Sequence, residues 1–323
     1  MNRTAFFLAL PCLSLMSSLS AAREIEPVAV TPVRLSGIIN QDSDDTLAFT
    51  PDRITVFFDR SEGKRKTIMV SHRVKGRWSA PEIASFSGTW FDQDPVVAPD
   101  GSYLLFNSNR PVKPGDEALV QSYFAGGPGP GSNIWRVDRK GNGWGEPVWL
   151  SGIINSDVFI DFASIASDGT LYFMRWDKDQ KSMHFWRSRY DQGKYLKPEL
   201  VTLGDPKESL HDPAVAPDQS FIVFDSGKVK GGLGRLCIAF RDGDHWGAPI
   251  DLGEDLNKDL PWGSHLDPDG RTIYFTGTSG IQRFSLRPWL KAHRQQPASR
   301  GALDHRPSSP LAREPTTVVK SPG

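Results

Sequence analysis

Short apolar runs of five or six residues recur along the chain, in pairs that flank a polar turn. The clearest copy, Asp-Pro-Val-Val-Ala-Pro-Asp-Gly-Ser-Tyr-Leu-Leu-Phe-Asn-Ser, occupies residues 94–108, and a second occupies residues 212–226. In both, Pro sets the φ angle of the turn and Asp hydrogen-bonds the backbone ahead. Weaker copies begin at Leu47, Ala163 and Leu266. Because one strand–turn–strand unit occurs five times, the sequence predicts a repeat architecture.

The spacing of the five turns indicates the kind of repeat. Their aspartates are Asp52, Asp100, Asp168, Asp218 and Asp269. Three of the four steps are about 50 residues, a length typical of a four-stranded propeller blade. The second step is longer, and an insertion at 111–132 explains it. This segment is so rich in Gly and Pro that we expect a loop without strands.

The residue that follows the turn aspartate is Gly in three copies, where it accepts a positive φ angle. Arg53 and Gln219 replace it in the other two. Because residues with a side chain adopt positive φ at a cost, we expect these two turns to be looser or of a different type.

The two ends of the chain predict how the ring closes. Residues 31–40 resemble residues 146–155, which form the outer strand of a blade and its exit loop. The fifth unit, conversely, has no such strand after residue 286. We therefore expect a strand near residues 28–35 to complete the last blade, so that the ring has no open seam. The predicted fold is an all-β propeller of five four-stranded blades, with six blades as the alternative.

Composition and the termini define the remaining organisation. The 38 basic and 38 acidic residues balance, which argues against a nucleic-acid partner. Residues 1–22 have a positive start, an apolar run and small residues at the end, as in a secretory signal peptide. The run is too short for a membrane span. We thus expect a periplasmic or secreted protein with no transmembrane segment after cleavage, a propeller over 23–290 and a disordered tail over 291–323.

One stretch carries a family resemblance. Residues 224–238 run from a strand that ends in Ser into a Gly-Gly turn, and residues 242–257 contain Trp-Gly-Ala-Pro followed by Leu-Gly and Leu-Asn. Together with the repeated turn, these segments resemble the TolB-type WD40-like β-propeller repeat family, over about residues 28–290. The resemblance implies a periplasmic or cell-surface propeller that serves in binding or assembly. An Arg usually follows the second strand in that family, and Arg60 and Arg110 match it, whereas blade four has Lys228.

Polar residues precede each first strand and should reach the mouth of the central channel. Asp94 and Asp212 open the repeated phrase, and an Asp before Pro is typical of a turn cap, so an architectural role competes with a functional one. Residues that break the phrase are better functional candidates. The predicted ligand-binding residues are Asp45, Asp94, Asp161, His211, Asp212, Trp262 and His265, together with Arg60 and Arg110. Several aromatic residues also enter the first strands, and Tyr123 and Phe124 make the insertion a candidate lid.

Two functions fit this arrangement. The first is a non-catalytic exported propeller that binds a protein, peptide or glycan of the cell envelope at its central bowl. The alternative is a glycoside hydrolase using bowl aspartates, which requires two carboxyl groups about 5–9 Å apart. We assign no catalytic residue and expect no cofactor, although clustered carboxylates leave Ca²⁺ at the mouth as an alternative. A plugged or aromatic channel would favour binding, and a deep pocket with two carboxylates would favour hydrolysis.

Overall fold

The computed structural model describes residues 31–32, 38–39, 43–122, 128–176, 182–227 and 234–295. Within these ranges the chain forms five antiparallel blades arranged as a propeller. The prediction of an all-β, five-bladed propeller is confirmed. The predicted signal peptide lies outside the described residues, as do Tyr123, Phe124 and Lys228.

Each blade contains four strands, numbered here from the channel outward. The inner strands of blades 1 to 5 are Asp44–Phe49, Asp92–Val97, Ile160–Ile165, Leu210–Val215 and Trp262–Leu266. The second strands are Thr55–Glu62, Tyr103–Ser108, Leu171–Trp176, Phe221–Ser226 and Thr272–Gly277. The third strands are Arg65–Val74, Asn133–Lys140, Met183–Ser188, Arg235–Asp242 and Gly280–Ser285. The outer strands are Glu82–Ile83, Val148–Trp149, Glu199–Leu200, Ile250–Asp251 and Thr31–Pro32.

Short additional elements lie at the edges of the blades. Extensions of the third strands pair with Arg77–Trp78, Gly143–Trp144 and His245–Trp246, and in blade 3 Tyr190–Asp191 pairs with Lys194–Tyr195. Two helices span Glu254–Asn257 and Arg287–Arg294. Trp289 of the second helix packs against Phe284 of blade 5, and the last four residues of this helix lie in the segment predicted to be a disordered tail.

The insertion contains a small ribbon that the sequence did not suggest. Val120–Gln121 pairs with Gly129–Pro130 in an antiparallel sheet of its own. The expectation of a loop without strands was therefore wrong. A two-residue ribbon tolerates Gly and Pro because its residues pair with only one neighbour.

The chain closes the ring as predicted. Thr31 pairs with Arg283 and Pro32 with Gln282, so that the N-terminal strand is the outer strand of blade 5. The first and last parts of the chain are thus held in one sheet.

The core lies between the blades. Five apolar clusters are present among the described residues, one at each blade interface. The second strand of every blade contributes a phenylalanine that is at most 1 % exposed: Phe58, Phe106, Phe173, Phe224 and Phe275. Burial of such a ring contributes about 2–3 kcal/mol. Cys237 is a free, buried thiol in this core.

The five Pro-Asp-type turns have the same geometry. Residues Arg53, Gly101, Gly169, Gln219 and Gly270 all have φ between 56° and 82°, and each donates its N–H to the carbonyl three residues earlier. The expectation of different turns at Arg53 and Gln219 was wrong. Both side chains reach the preceding blade, where Arg53 pairs with Asp267 and Gln219 bonds Tyr172. These contacts offset the cost of positive φ.

Candidate functional site

The channel has two distinct ends. The inner strands begin at the end that we call the mouth, and they finish at the Pro-Asp-type turns, which form the turn end. Because successive strands are antiparallel, the connections from second to third strands also lie at the mouth, and the insertion of blade 2 is one of them. The polar residues that precede each first strand are therefore at the mouth, as the sequence predicted.

Every inner strand has a β-bulge close to its start. The bulged residue has a positive φ of 41° to 65°, and the pairing register shifts beside it: Thr46, Asp94, Phe162, Asp212 and Gly263. A bulge removes a residue from the ladder and turns its N–H away from the sheet. In this ring the freed groups face the neighbouring blades.

Hydrogen bonds from the bulges join the blades around the mouth. Asp94 donates its N–H to the Asp59 carboxylate at 3.0 Å, and Gly263 donates to Asp212 Oδ2 at 2.7 Å. Thr46 N–H faces Thr276 Oγ1 at 3.4 Å. The repeated aspartates are therefore partly architectural, because Asp212 accepts a bond that joins blades 4 and 5.

Six carboxyl groups surround the mouth, and we call them the mouth cluster: Asp45, Asp59, Asp94, Asp161, Asp212 and Asp225. Lys66 lies among those of blade 1, with Nζ 3.2 Å from Asp45 Oδ2 and 3.5 Å from Asp59 Oδ2. Burial raises the pKa of Asp59 to about 7, although the charge of Lys66 acts in the opposite direction.

The pKa values of three further members are also raised. Burial raises the pKa of Asp94 well above its usual range, and the nearby Asp59 and Asp161 raise it further. Burial and the nearby Asp212 raise the pKa of Asp225 well above its usual range. Burial raises the pKa of Asp161 as well, against the lowering effect of its hydrogen bond from Ser132. Desolvation and the closeness of like charges therefore raise the pKa values of four members, Asp59, Asp94, Asp161 and Asp225.

Asp161 lies in a pocket under the insertion. This mouth pocket has a volume of about 320 Å³ and is lined by Phe91, Gln93, Ser108, Gln121, Pro130, Gly131, Ser132, Phe159 and Asp161. Ser132 Oγ donates to Asp161 Oδ1 at 2.8 Å, and Gln93 Nε2 donates to the same atom at 3.4 Å. One carboxyl group thus faces two phenylalanine rings and two amide side chains.

An aromatic contact crosses the channel below the mouth. The rings of Phe162 and His265 are 4.9 Å apart at an interplanar angle of 42°. They belong to blades 3 and 5, with blade 4 between them, so the contact spans the axis. Both side chains are buried. His265, predicted for the mouth, is therefore part of a plug inside the channel.

The other predicted residues fall into two groups. Asp45, Asp161, His211 and Trp262 occupy the position before the bulge in their blades, so the structure places them on one ring at the mouth. The two predicted arginines lie within their own blades. Arg60 pairs with Asp44 at 2.7 Å and Arg110 with Asp92 at 2.8 Å. Both guanidinium groups are therefore paired with aspartates of their own blades.

The sequence interpretation missed Asp59, Asp225 and Lys66. Asp59 and Asp225 follow the buried phenylalanine of their second strands, at a position occupied by Asn107 and Thr276 in blades 2 and 5. A polar residue repeated at one site of an otherwise apolar strand was the available signal. For Lys66, a lysine in a strand that follows a tight turn, the sequence contained no such signal.

Two features of the described residues bear on the remaining expectations. No group of three or more His, Cys, Asp or Glu side chains in this part of the chain is arranged to hold a metal ion. No helix among the same residues is long and apolar enough to cross a membrane.

Solved structures resemble this architecture. An endo-arabinase from Bacteroides thetaiotaomicron matches with a TM-score of 0.50 at 13 % identity, over 79 % of this chain and 96 % of that one. A putative TolB from Agrobacterium tumefaciens matches with a TM-score of 0.49 at 16 % identity, over 76 % and 75 %. TolB from Acinetobacter baumannii matches with a TM-score of 0.45 at 15 % identity, over 77 % of this chain and 56 % of that one.

The likeness is one of fold. TolB structures are among the matches, in agreement with the resemblance of the repeats to TolB-type propellers. This chain spans a little over half of the Acinetobacter TolB. No known family profile matches the chain, and no curated protein sequence matches it.

Proposed function

We propose that this chain is an exported, non-catalytic binding propeller whose mouth receives a positively charged group of a protein or peptide partner. The observation that carries the proposal is the mouth cluster, in which six carboxyl groups share one mouth and Lys66 pairs with two of them, Asp45 and Asp59. The charges of Asp59, Asp161 and Asp212 all disfavour ionisation of Asp94, and burial strengthens such repulsion. A cation placed among them relieves it.

Because of the raised pKa values, the proposal also predicts that binding releases protons. A cation that binds near Asp59 lowers the raised pKa of this carboxyl group, so binding should release a proton from it. Asp59, with a pKa of about 7, is half protonated near neutral pH. Affinity for a cation should therefore rise as the pH increases from about 5 to 8.

The surroundings suit a side chain that enters from one end. Phe91 and Phe159 line the mouth pocket beside Asp161, and the faces of aromatic rings attract ammonium and guanidinium groups. The contact between Phe162 and His265 lies below, so the mouth is a bowl with a floor rather than an open tube. Such a bowl is suited to a lysine or arginine that projects from a partner surface.

The test uses peptides that differ only in charge. We expect a fluorescently labelled tetra-arginine peptide to bind the full chain, and a tetra-citrulline peptide, which has nearly the same shape without charge, to bind at least tenfold more weakly. Fluorescence anisotropy at pH 6, 7 and 8 should show affinity rising with pH. Raising the salt from 0.05 to 0.5 M should weaken the peptide binding only partly, because buried pairs are screened less than exposed ones.

Matched substitutions locate the site. Asp161→Asn should reduce tetra-arginine affinity by about tenfold or more, since a hydrogen bond to a charged group contributes about 1.5 kcal/mol or more. Asp244→Asn makes the same change at a side chain that is 95 % exposed, in the turn after the third strand of blade 4, and should leave affinity unchanged. Equal affinity for both peptides, or equal effects of the two substitutions, would contradict the proposal.

Hydrolysis is the second candidate, and Asp161 is the observation that favours it. A carboxyl group with a raised pKa in a pocket is what a general acid requires, and an endo-arabinase shares the fold. The mouth pocket contains a single carboxyl side chain among its described lining residues, whereas the reaction requires two. Turnover of arabinan by the purified chain, abolished by Asp161→Asn, would establish the enzyme and overturn the binding proposal.

A further inference from the structure

The turn end of the ring carries short hairpins whose charge differs from blade to blade. In blades 1, 2 and 4 the third strand finishes at this end and leads into such a hairpin. The pairing registers align the three hairpins, because His72, Asp138 and Phe240 each pair with the first residue of the second strand in their own blade. The residues that follow these three occupy equivalent positions.

The hairpins of blades 1 and 2 are basic, whereas that of blade 4 is not. Blade 1 has Arg-Val-Lys-Gly-Arg at residues 73–77, blade 2 has Arg-Lys-Gly-Asn-Gly at 139–143, and blade 4 has Arg-Asp-Gly-Asp-His at 241–245. In blade 4, Arg241 lies 3.6 Å from Asp244. The cations of blades 1 and 2 are exposed, and within the described ranges none lies at ion-pair distance from a carboxylate: Arg73, Lys75, Arg77, Arg139 and Lys140.

These two hairpins are neighbours. The ring of Trp144, in the hairpin of blade 2, packs on Phe57 of blade 1 with centroids 5.4 Å apart. On the other side of blade 1, blade 5 adds exposed cations at the same end, one in its Pro-Asp-type turn and three in the helix that follows its third strand: Arg271, Arg287, Lys291 and Arg294. We call the turn end of blades 5, 1 and 2 the basic face.

Acidic residues at the turn end of blades 1 and 2 do not balance the cations. They are Asp52, Asp100, Asp138 and Glu146, and the first three are bonded within the fold. Asp52 accepts from Thr50 Oγ1 at 2.6 Å, Asp100 from Ser102 Oγ at 2.7 Å and Asp138 from Arg136 Nε at 2.7 Å. Although the whole chain is neutral by count, its charge is thus separated, with carboxyl groups at the mouth and cations on the basic face.

Two apolar side chains are exposed among these cations. Val74 is 59 % exposed and Ile54 is 49 % exposed. Val74 pairs with Arg77, and Arg73 donates its N–H to the Ile54 carbonyl at 2.7 Å, so both apolar residues belong to the tip of the blade 1 hairpin and its neighbouring turn. Cations that surround exposed apolar side chains are typical of surfaces that lie in a membrane interface.

We infer that the basic face docks on the surface of an anionic lipid membrane. The cations attract the phosphate headgroups, and Val74 with Ile54 enters the boundary between headgroups and acyl chains. Each cation close to such a surface raises the affinity about fivefold. Since the mouth lies at the opposite end of the axis, it would point away from the membrane. The inference does not depend on what the mouth binds.

The experiment measures flotation of the protein with vesicles at pH 7. Vesicles of phosphatidylcholine that contain about one third phosphatidylglycerol should carry the full chain. Vesicles of phosphatidylcholine alone should bind it at least about tenfold more weakly, because the cations then meet no net negative charge. Raising the salt from about 0.1 to 0.5 M should weaken binding to the anionic vesicles, since exposed charges are screened.

A matched pair of double variants locates the surface. Lys75→Gln with Arg77→Gln removes two cations from the basic face and should weaken binding to anionic vesicles about twenty- to thirtyfold. Lys64→Gln with Arg65→Gln makes the same change at the mouth end of the same strand, at exposed residues, and should change the affinity less than twofold. Both variants should unfold at the same urea concentration as the natural chain, because exposed substitutions have small effects.

Val74→Thr separates a membrane from a soluble polyanion. It keeps the shape and the charge of the hairpin but adds a hydroxyl, which is unfavourable in the acyl boundary. Binding to anionic vesicles should fall about threefold, and binding to a poly-glutamate peptide, if present, should not change.

Several outcomes would overturn the inference. They are equal binding to both kinds of vesicle, equal losses in the two double variants, and vesicle binding that Val74→Thr leaves unchanged. Binding that disappears when the chain begins at residue 23 would also overturn it, because the apolar run before that residue would then be responsible. Association of the chain with itself that Lys75→Gln with Arg77→Gln abolishes would assign the basic face to the acidic mouth of a second copy instead.

Discussion

At Asp59, burial and charge act on one carboxyl group in opposite directions. The side chain is fully buried, Lys66 lies 3.5 Å away, and the Asp94 N–H donates to it. The balance still leaves the pKa near 7, so the cost of desolvation exceeds the attraction of Lys66. A buried ion pair of this kind adds little stability of its own.

This balance predicts an unusual dependence of stability on pH. The folded-state pKa of Asp59 is raised above its unfolded value, so its contribution is fully present below about pH 4 and is lost as the pH rises through 7. We expect the free energy of unfolding of the natural chain to fall by about 2 kcal/mol more than that of Asp59→Asn between pH 5 and 8. Urea titrations at both pH values measure it.

The matched control for Asp59 is Asp244→Asn, in which an exposed carboxylate is replaced. Its free energy of unfolding should follow the natural chain at every pH. If Asp59→Asn has the same pH slope as these two proteins, Asp59 ionises normally and the account of the mouth cluster is wrong.

At the scale of the element, each Pro-Asp-type turn requires a positive φ at the residue after the aspartate, and in two of the five turns this residue is not glycine. Gln219 has φ of 57°, yet its amide bonds Tyr172 Oη and Asp168 Oδ2, both at 2.8 Å, in the preceding blade. The backbone cost of a left-handed residue is about 1 kcal/mol. The hydrogen bonds between blades 3 and 4 oppose it.

Two substitutions at Gln219 separate these effects. Gln219→Ala loses the bonds and keeps the strained φ, whereas Gln219→Gly loses the bonds and relieves the strain. We expect Gln219→Ala to have the lower free energy of unfolding, by about 1 kcal/mol, and both to fall below the natural chain. Chemical denaturation provides the comparison.

Gly270→Ala is the matched control for the turn, since the added methyl group would meet no atom within 4 Å and only the φ of 64° opposes it. The free energy of unfolding of Gly270→Ala should be about 1 kcal/mol lower than that of the natural chain. A Gln219→Ala variant as stable as Gln219→Gly would show that φ at this turn costs nothing.

At the scale of the whole molecule, the five blades depend on each other. An apolar cluster fills every interface, and bulge hydrogen bonds or mouth side chains join neighbouring blades around the axis. Closure joins Thr31–Pro32 to the third strand of blade 5. Without that outer strand, Gly280–Ser285 would present an unpaired edge, and such edges promote aggregation.

A shortened chain tests the closure. A protein that begins at residue 38 should have a free energy of unfolding about 2 kcal/mol lower than that of the natural chain. The reason is that two paired residues lose backbone hydrogen bonds of about 1 kcal/mol each. It should also scatter more light on storage. The control is a protein that ends at residue 295, which keeps the closing strand, and a similar loss in both would contradict the assigned role of closure.

Features that depend on residues close together in the sequence were predicted correctly, and features that depend on contacts between blades were not. The blade count followed from turns and strand patterns contained within about 50 residues. Asp161, His211 and Trp262 were located correctly at the mouth because they precede inner strands. Asp59 was missed because it bonds the bulge of another blade. The ion pair of Arg60 with Asp44 in the facing strand was not predicted, and the ligand-binding role of Arg60 stays a prediction.

By itself, the sequence determined a closed ring of five four-stranded blades, since alternating strands, Pro-Asp turns and the displaced outer strand are all local patterns. Only the tertiary structure decided that six carboxyl groups share one mouth and that Phe162 and His265 meet across the axis. The reason is geometric. Side chains from different blades are brought together by the curvature and closure of the ring, and their burial there sets their charge.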